Sequence, residues 1–221
     1  MRSLVQIIFP SRCIGCSQLG ISICSQCRSS WHPHIYLQSI EVNGKNFPIL
    51  SAIQYSPIAS KVLLSAKEGS IRAADELLIS SLEHSLSYFR KKYGEATLVP
   101  IPSRKSATRK RGRNFLSVIC ADVASNLSIN HLSLLEHTRL VRDQSALNAK
   151  ERKLNLAGAL KVNISGITAL QSGNIGPLIL VDDLITTGTT LAEAIRALTY
   201  AGFTVLGAVT SCAAKPLRLG G

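Results

Sequence analysis

Apolar residues along the chain form short continuous runs in some places and recur at helical spacing in others. The clearest run covers residues 178–181, which predicts a parallel strand buried on both faces. Asp182 and Asp183 follow where this strand is expected to end, and a turn rich in hydroxyl groups occupies residues 186–190. Four apolar residues then predict a helix starting in or just after the turn, namely Leu191, Ala194, Ile195 and Leu198. The chain therefore contains a strand–turn–helix unit.

The remaining pattern alternates strands with helices. Strands are predicted within residues 35–55, where Asn43-Gly44 marks a turn, and at 96–102, 158–162 and 204–212. Helices are predicted at about residues 57–66 and 71–93, and from residue 115 to about 127. Residues 104–113 are expected to form a basic loop, and residues 165–176 a loop or an edge excursion.

The turn at residues 186–190 has the chemistry of a phosphate site. A strand–turn–helix unit directs free backbone N–H groups and the positive end of the helix dipole at one point. Gly188 lets the backbone approach a ligand, and Thr186, Thr187, Thr189 and Thr190 add hydroxyl donors. Asp182 and Asp183 would repel phosphate, but they suit sugar hydroxyls or a divalent cation. A phosphorylated ribose satisfies all of these groups. The alternative is that the carboxylates only cap a helix and the threonines only fill a turn.

The net positive charge of the chain indicates which classes of binding partner to expect. The chain has 25 Lys and Arg against 13 Asp and Glu, a net charge of +12, which favours a nucleic acid, an anionic membrane surface or a pyrophosphorylated sugar. Eleven of the 25 cations fall within residues 104–113 and 139–153. We interpret residues 104–113 as a pyrophosphate cradle, and the segment from residue 139 as a mobile loop with a short helix whose composition suits closure over pyrophosphate. A solvated basic loop or a nucleic-acid patch is the alternative.

Two Cys-x-x-Cys pairs lie near the N-terminus, separated by seven residues. Four thiolates at tetrahedral positions make a closed structural site, so we expect zinc. A disulfide pair or an iron–sulfur cluster is the alternative. The predicted ligands are Cys13, Cys16, Cys24 and Cys27. Cys120 and Cys212 are interpreted as small buried apolar residues, and Trp31 is expected to pack the cysteine module against the rest.

Residues 181–190, Val-Asp-Asp-Leu-Ile-Thr-Thr-Gly-Thr-Thr, resemble the ribose-phosphate signature of type I phosphoribosyltransferases. The resemblance implies that Asp182 and Asp183 contact the ribose hydroxyls of phosphoribosyl pyrophosphate. It also implies that the turn at residues 186–190 holds the 5′-phosphate. No Walker A pattern and no Gly-x-Gly-x-x-Gly after a strand compete with this interpretation.

Further motifs extend the resemblance over nearly the whole chain. Together with the signature above, they are similar to the competence protein F (ComF) family. These motifs are the double cysteine knuckle, the Leu-Val-Pro-Ile-Pro strand at 98–102, the basic segment, and the Arg-Asp-Gln-Ser-x-Leu segment at 142–147 with Arg152 and Asn155. These proteins are phosphoribosyltransferase-like and implicated in DNA uptake. The family usually has Arg-Gly-Phe-Asn-Gln where residues 111–115 here are Arg-Gly-Arg-Asn-Phe.

The resemblance implies an α/β fold of type I phosphoribosyltransferases, a Rossmann-like parallel sheet flanked by helices, with a small N-terminal zinc module. We expect a zinc-knuckle module with four cysteine ligands at residues 1–34, a hood-like connection at 35–95 and the phosphoribosyltransferase domain at 96–221. Five cations are expected to neutralise pyrophosphate together with Mg²⁺: Arg104, Lys105, Arg109, Arg111 and Arg142.

The expected activity is transfer of phosphoribose from phosphoribosyl pyrophosphate to an unidentified base or amine. The alternative is a non-catalytic accessory factor of DNA uptake, which binds single-stranded DNA or DNA-processing proteins through its basic loops. No apolar stretch approaches the roughly 18 residues that span a bilayer, and no signal peptide is apparent, so we expect a cytoplasmic protein.

Overall fold

A five-stranded sheet forms the centre of the computed structural model, which describes residues 11–69, 71–138, 158–171 and 175–214. Its strands are β1 (Tyr36–Val42), β2 (Lys45–Gln54), β3 (Thr97–Pro100), β6 (Leu178–Ile185) and β7 (Val205–Ala213), in the spatial order β1-β2-β7-β6-β3. Only β1 runs antiparallel to its neighbour, and the other three pairings are parallel. The expected α/β class with a mainly parallel sheet is therefore confirmed.

Seven helices are present in the described residues. They are α1 (Ser25–Ser29), α2 (Pro57–Gly69), α3 (Arg72–Tyr93), α4 (Lys105–Arg111), α5 (Phe115–Leu127), α6 (Ile164–Gln171) and α7 (Thr189–Tyr200). Helices α3 and α5 pack on one face of the sheet, and α7 packs on the other. Because both faces are covered, the run at residues 178–181 is at most 1 % exposed.

The central strand is longer than the apolar run predicts. Strand β6 continues to Ile185, so Asp182 and Asp183 lie within the strand and not after it. Backbone pairing with β7 carries it this far, since Asp182 lies opposite Thr210 and Ile185 opposite Ala213. Successive side chains of a strand point to opposite faces. The two carboxylates therefore leave the sheet on different sides at its carboxyl edge.

The predicted hairpin at residues 35–55 is confirmed as β1 and β2. Asn43 and Gly44 join the strands with positive φ angles of 51° and 75°, as a tight two-residue hairpin turn requires. A second, two-stranded sheet consists of β4 (Leu135–His137) and β5 (Leu160–Val162). The sequence predicted β5 but not β4, because three residues are too few to show a periodicity.

Two predicted loops contain helices. Within the basic stretch, α4 spans Lys105–Arg111 and ends at Gly112, whose φ of 70° forms a left-handed cap. Lys, Arg and Ala favour helices, but the many charged residues of this stretch led to its interpretation as a loop. Helix α6 lies where a loop or edge excursion was expected, and the Asn163 side chain caps it by accepting the Gly166 N–H at 2.8 Å.

The cysteine module packs on the same core as the sheet. Trp31 is buried, and its indole N–H donates to the Leu77 carbonyl at 3.2 Å, which confirms its expected role. The Lys61 ammonium donates to the Gly15 carbonyl at 2.6 Å and so joins the module to α2. Cys120 and Cys212 are fully buried, as predicted. The division at residues 34 and 95 stays a prediction. No helix among the described residues is long and apolar enough to cross a membrane.

Arg113 holds the segment after α4 against α2 and α3. Its guanidinium donates to both carboxylate oxygens of Asp75, at 2.8 and 3.0 Å, and also to the Ala66 carbonyl. The hydrogen bond with Asp75 is the largest influence on the pKa of Arg113, which is raised although burial opposes it. Arg113, one of the two residues that depart from the sequence pattern that the segment resembles, therefore has a structural partner.

We expect Arg113→Ala to lower the free energy of unfolding by about 1–3 kcal/mol, because it leaves a partly buried Asp75 without its charged donor. Arg109 is an exposed residue of the neighbouring helix, and Arg109→Ala should stay within about 0.5 kcal/mol of the parent protein. Urea unfolding of both variants checks this. Equal midpoints for the two variants would contradict the assigned contact.

Candidate functional site

Gly188 sets the shape of the turn between β6 and α7. Its φ is +74°, in the left-handed region, and a Cβ at this position would lie 2.8 Å from Cγ2 of Ile40. It is the N-cap of α7, and no side chain among the described residues caps the helix. The first backbone N–H groups of α7 therefore lack both intrahelical partners and a side-chain cap. They lie at the turn for which the sequence predicts a phosphate site, and that assignment stays a prediction.

A small hollow lies within this turn. Its volume is about 20 Å³, and it is lined by Asp182 and by residues 184–191. All five residues that were predicted to bind a 5′-phosphate belong to this lining: Thr186, Thr187, Gly188, Thr189 and Thr190. The hydroxyl oxygens of Thr187 and Thr189 are 2.8 Å apart and share a hydrogen bond. The turn thus offers a compact set of donors beside one carboxylate.

The acidic pair has a cationic partner that the sequence did not reveal. Lys67, near the end of α2, forms an ion pair with Asp183, whose side chain is 13 % exposed. Asp182 accepts the Asp183 backbone N–H at 2.9 Å and lines both the hollow and the cleft described below. In the sequence, Lys67 lies in the gap between the helices predicted at about residues 57–66 and 71–93. No local pattern links it to a carboxylate in the other half of the chain.

The pKa values of Asp182 and Lys67 reflect this arrangement. Burial raises the pKa of Asp182 well above its usual range, the charge of Asp183 raises it further, and Lys67 only partly offsets both. Burial by itself lowers the pKa of Lys67, but the charge and hydrogen bond of Asp183 and the charge of Asp182 outweigh it, so that it is raised. Lys67 therefore carries a positive charge. Asp182 is the strained member of the group, in the sense that burial and the charge of Asp183 disfavour its ionised form.

A larger cleft opens beside the turn, at the carboxyl ends of β3 and β6. Its volume is about 430 Å³. Among the described residues, its charged lining consists of Lys67, Arg104, Arg111, Asp182 and Asp183. Thr186 and Thr190 also line it, and its apolar lining includes Ile101, Pro102, Phe115, Leu116 and Leu160. The tertiary structure therefore joins the acidic pair, the threonine turn and part of the basic stretch.

Some of the residues that were predicted to bind pyrophosphate line the cleft, and others do not. Arg104 and Arg111 line the cleft, and Arg111 is also paired with Glu68 at 2.9 Å. Arg109 is exposed on α4 and is not part of the cleft lining. Lys105 begins α4. Arg142 lies outside the described residues. Of the three predicted cations whose side chains the structure describes, the cleft lining therefore includes two.

His137 is a further cleft residue that the sequence did not single out. Its Nε2 lies 3.0 Å from the Pro102 carbonyl oxygen, whereas its Nδ1 is buried and has no hydrogen-bond partner within the described ranges. Burial lowers the pKa of His137, the Pro102 hydrogen bond raises it, and the charge of Arg104 lowers it, so that the net direction is down. A buried acceptor without a donor costs about 1–3 kcal/mol.

The four cysteine sulfurs form one cluster. All lie within 4.8 Å of one another, and those of Cys16 and Cys24 are 3.7 Å apart. Sulfurs at about 2.3 Å from a tetrahedral metal are about 3.8 Å from each other, so the spacing fits a metal site. Gly15 is necessary here, because a Cβ on it would lie 2.5 Å from the Cys27 sulfur.

The electrostatics of the cluster also suit a cation. Burial raises the pKa of Cys13, but backbone N–H groups of Cys16, Cys24 and Gly15 outweigh it and lower the pKa to about 6. Burial and the neighbouring sulfurs raise the pKa of Cys27 to about 12. A bound cation would relieve this crowding, because thiolates are the metal-binding form of cysteine.

A comparison with solved structures finds phosphoribosyltransferases among the proteins that match this chain. The adenine phosphoribosyltransferase of Trypanosoma brucei, solved with AMP, pyrophosphate and ribose-5-phosphate, is 14 % identical with a TM-score of 0.42, and the match covers 81 % of this chain and 87 % of that one. The Giardia lamblia enzyme, solved with 9-deazaadenine, is 15 % identical with a TM-score of 0.39, covering 81 % and 94 %.

The orotate phosphoribosyltransferase of Aeropyrum pernix is 14 % identical with a TM-score of 0.36, covering 80 % of this chain and 73 % of that one. No protein-family model and no curated protein matches the chain. TM-scores below 0.5 are too low to transfer a substrate or an activity to this protein.

Proposed function

We propose that this protein binds phosphoribosyl pyrophosphate together with Mg²⁺ and transfers its phosphoribosyl group to a base or an amine. One observation carries the proposal: the uncapped start of α7, the acidic pair and the cations Lys67, Arg104 and Arg111 line one connected site. A ligand that suits all three parts has a phosphate, a diol and a second, more highly charged phosphate group. The resemblance to the ComF family agrees with this ligand.

The proposed orientation follows from the charges. The 5′-phosphate lies at the open hollow of this turn, where the N–H groups of α7 and the threonine hydroxyls donate to it. Asp182 and Asp183 accept hydrogen bonds from the ribose hydroxyls and stabilise positive charge as it develops on the sugar. Pyrophosphate faces Lys67, Arg104 and Arg111, and Lys105, Arg109 and Arg142 remain proposed contributors to its binding.

The carboxylates at this edge also suit Mg²⁺, which proteins commonly hold through one or two carboxylates and the substrate's phosphates. When bound, Mg²⁺ would neutralise charge on the leaving pyrophosphate. The protein's own residues position the sugar and compensate charge, and none is required as a covalent nucleophile. For the N-terminal cysteine cluster we propose zinc in a structural role, because four thiolates leave no open coordination position.

Thermal unfolding with and without phosphoribosyl pyrophosphate tests the proposal. At a ligand concentration of 100 times Kd, binding adds about 2.7 kcal/mol, which is roughly 5–10 °C for a chain of this size. We expect a shift of this size with Mg²⁺ and a much smaller one with EDTA, on protein that retains its zinc. Ribose 5-phosphate and pyrophosphate, tested separately, should each give part of the shift. A folded protein with no shift would refute the proposed function.

A further inference from the structure

The ion pair between Lys67 and Asp183 joins two distant parts of the chain at the cleft. Lys67 belongs to the last turn of α2, and Asp183 lies near the carboxyl end of β6. Both side chains are mostly buried, and both line the cleft. The fold therefore supplies the acidic pair with a cation of its own.

A neighbouring ion pair holds the end of α2 in place. Glu68, the next residue of this helix, is 2.9 Å from the guanidinium of Arg111, the last residue of α4. Arg111 lines the same cleft as Lys67, but its carboxylate partner is Glu68. The two cations therefore have different roles in the charge balance, and Lys67 is the one that is paired with the acidic strand end.

The charge balance at the strand end disfavours a free divalent ion. Asp183 is paired with Lys67, whereas no ion pair of Asp182 is found in the part of the chain that the structure describes. A divalent ion at Asp183 would have to approach the ammonium or displace it. Two unit charges about 4 Å apart repel by more than the free energy of a tenfold change in affinity, even at an effective dielectric constant of about 20. Lys67 should therefore weaken the binding of free Mg²⁺.

The ammonium of Lys67 can also serve a ligand in the cleft. It has three N–H donors on a flexible stem of four carbons, and its position can adjust to a new acceptor. Lys67 lines the cleft together with Arg104 and Arg111, so an anion rich in oxygen atoms would bind beside it. Such an anion attracts the ammonium and carries negative charge of its own, which compensates an accompanying Mg²⁺.

We propose that Lys67 determines which form of the cation the acidic pair accepts. Its ammonium keeps free divalent ions away from Asp183, and it gives way to an ion that arrives with a pyrophosphate group, to which the ammonium then donates. The part that concerns pyrophosphate rests on the proposed function, whereas the exclusion of free ions does not.

Titration with Mn²⁺ at pH 8, on the zinc-replete full chain, tests the exclusion. Mn²⁺ prefers the same oxygen ligands as Mg²⁺, and electron paramagnetic resonance counts the free ion directly. We expect the parent protein to bind Mn²⁺ at the acidic pair with a Kd above about 1 mM. The affinity should rise by about tenfold or more in Lys67→Met and in Lys67→Gln, because the ammonium no longer repels the ion. The glutamine amide can still donate to Asp183, which protects the fold of that variant.

Three further variants locate the effect. Adding Asp183→Asn to Lys67→Gln should remove the gained Mn²⁺ binding. Arg111→Met removes a cleft cation that is paired with Glu68, and Lys91→Met removes an exposed charge from the last turn of α3. Both single variants keep the ammonium at Asp183, so their Mn²⁺ affinities should stay within about threefold of the parent protein. A gain in Arg111→Met as large as that in Lys67→Met would reduce the effect to general charge and overturn the proposal.

Two other results would also overturn it: equal Mn²⁺ affinities of the parent protein and the Lys67 variants, or a gain that persists after Asp183→Asn. The same samples are tested with phosphoribosyl pyrophosphate and Mg²⁺ in thermal unfolding, where the shift should be smaller in Lys67→Gln than in the parent. A missing shift in the parent refutes the proposed function without affecting the Mn²⁺ result. A normal shift with equal Mn²⁺ affinities refutes only the inference about Lys67.

Discussion

Asp182→Asn should abolish Mg²⁺-dependent stabilisation by phosphoribosyl pyrophosphate and, at the same time, make the free protein more stable. Binding is lost because the amide no longer supplies negative charge to the ribose and cation. Stability rises because the change removes a carboxylate that burial and the charge of Asp183 disfavour in its ionised form. We expect a gain of about 1 kcal/mol at pH 8.

The effect on stability depends on pH in a defined direction. The pKa of Asp182 in the folded protein lies above its unfolded value, so the folded state binds more protons and its stability falls as pH rises between the two values. The amide does not titrate. The advantage of Asp182→Asn should therefore be largest above the folded pKa and should vanish below the unfolded one.

Asp183→Asn is the matched variant and should have the opposite effect on stability. Asp183 is the ion-pair partner of Lys67, whose side chain is 26 % exposed. Removing the carboxylate leaves a mostly buried ammonium without its counter-ion, which we expect to cost about 1–3 kcal/mol. Binding of phosphoribosyl pyrophosphate should be lost here too. The two neighbouring substitutions thus share a functional effect and differ in the sign of their effect on stability.

Urea unfolding at pH 5, 6.5 and 8 measures the stabilities, and calorimetry with phosphoribosyl pyrophosphate, with Mg²⁺ or EDTA, measures binding. Full binding by either variant would refute the role of that carboxylate. If Asp182→Asn is destabilised at pH 8 as much as Asp183→Asn, the assignment of Asp182 as the strained member of the pair is wrong.

Loss of metal from the cysteine cluster should have the largest effect on folding. Cys13, Cys24 and Cys27 are buried in the same core as Trp31, so their sulfurs cannot become solvated without opening the module. We expect Cys24→Ser to lower the bound zinc from one ion per chain to none and the stability by about 4 kcal/mol or more. Chelation should destabilise the parent protein in the same way.

Cys120→Ala is the control, because this buried thiol of α5 does not belong to the cluster. It should keep one zinc per chain and lose only about 1 kcal/mol, the cost of a small cavity. Metal analysis of the purified proteins and thermal unfolding with and without chelator give the comparison. An unchanged unfolding temperature after complete removal of zinc would show that the cluster has no structural role.

The parts of the site that could be predicted from sequence are those made within a few neighbouring residues. The strand–turn–helix unit at residues 178–198 was expected in the right order, and Gly188 is the N-cap at its centre. The end of β6 was predicted too early, because hydrophobicity marks burial and Asp182 and Asp183 are paired in the strand despite their charge. The cluster of Cys13, Cys16, Cys24 and Cys27 followed from the two Cys-x-x-Cys pairs.

The partners of the charged side chains could not be predicted in this way. Arg111 and Arg113 are two residues apart in a stretch of like charge, yet Arg111 lines the cleft and Arg113 is held by Asp75. The direction of each side chain depends on where α4 ends and on how α2 and α3 pack beside it. Charge density along the chain therefore indicated a region that contributes cations to the cleft, but not which cations line it.

The sequence by itself determined the α/β class, the glycine- and threonine-rich turn and the cysteine cluster, because each depends on local backbone geometry or close spacing of like residues. Only the tertiary structure decided that Lys67 neutralises Asp183 and that His137 joins the wall of the cleft. Both depend on contacts between segments far apart in the chain. The physical reason is that ion pairs and buried hydrogen bonds are set by distance in space, which packing of the helices on the sheet alone establishes.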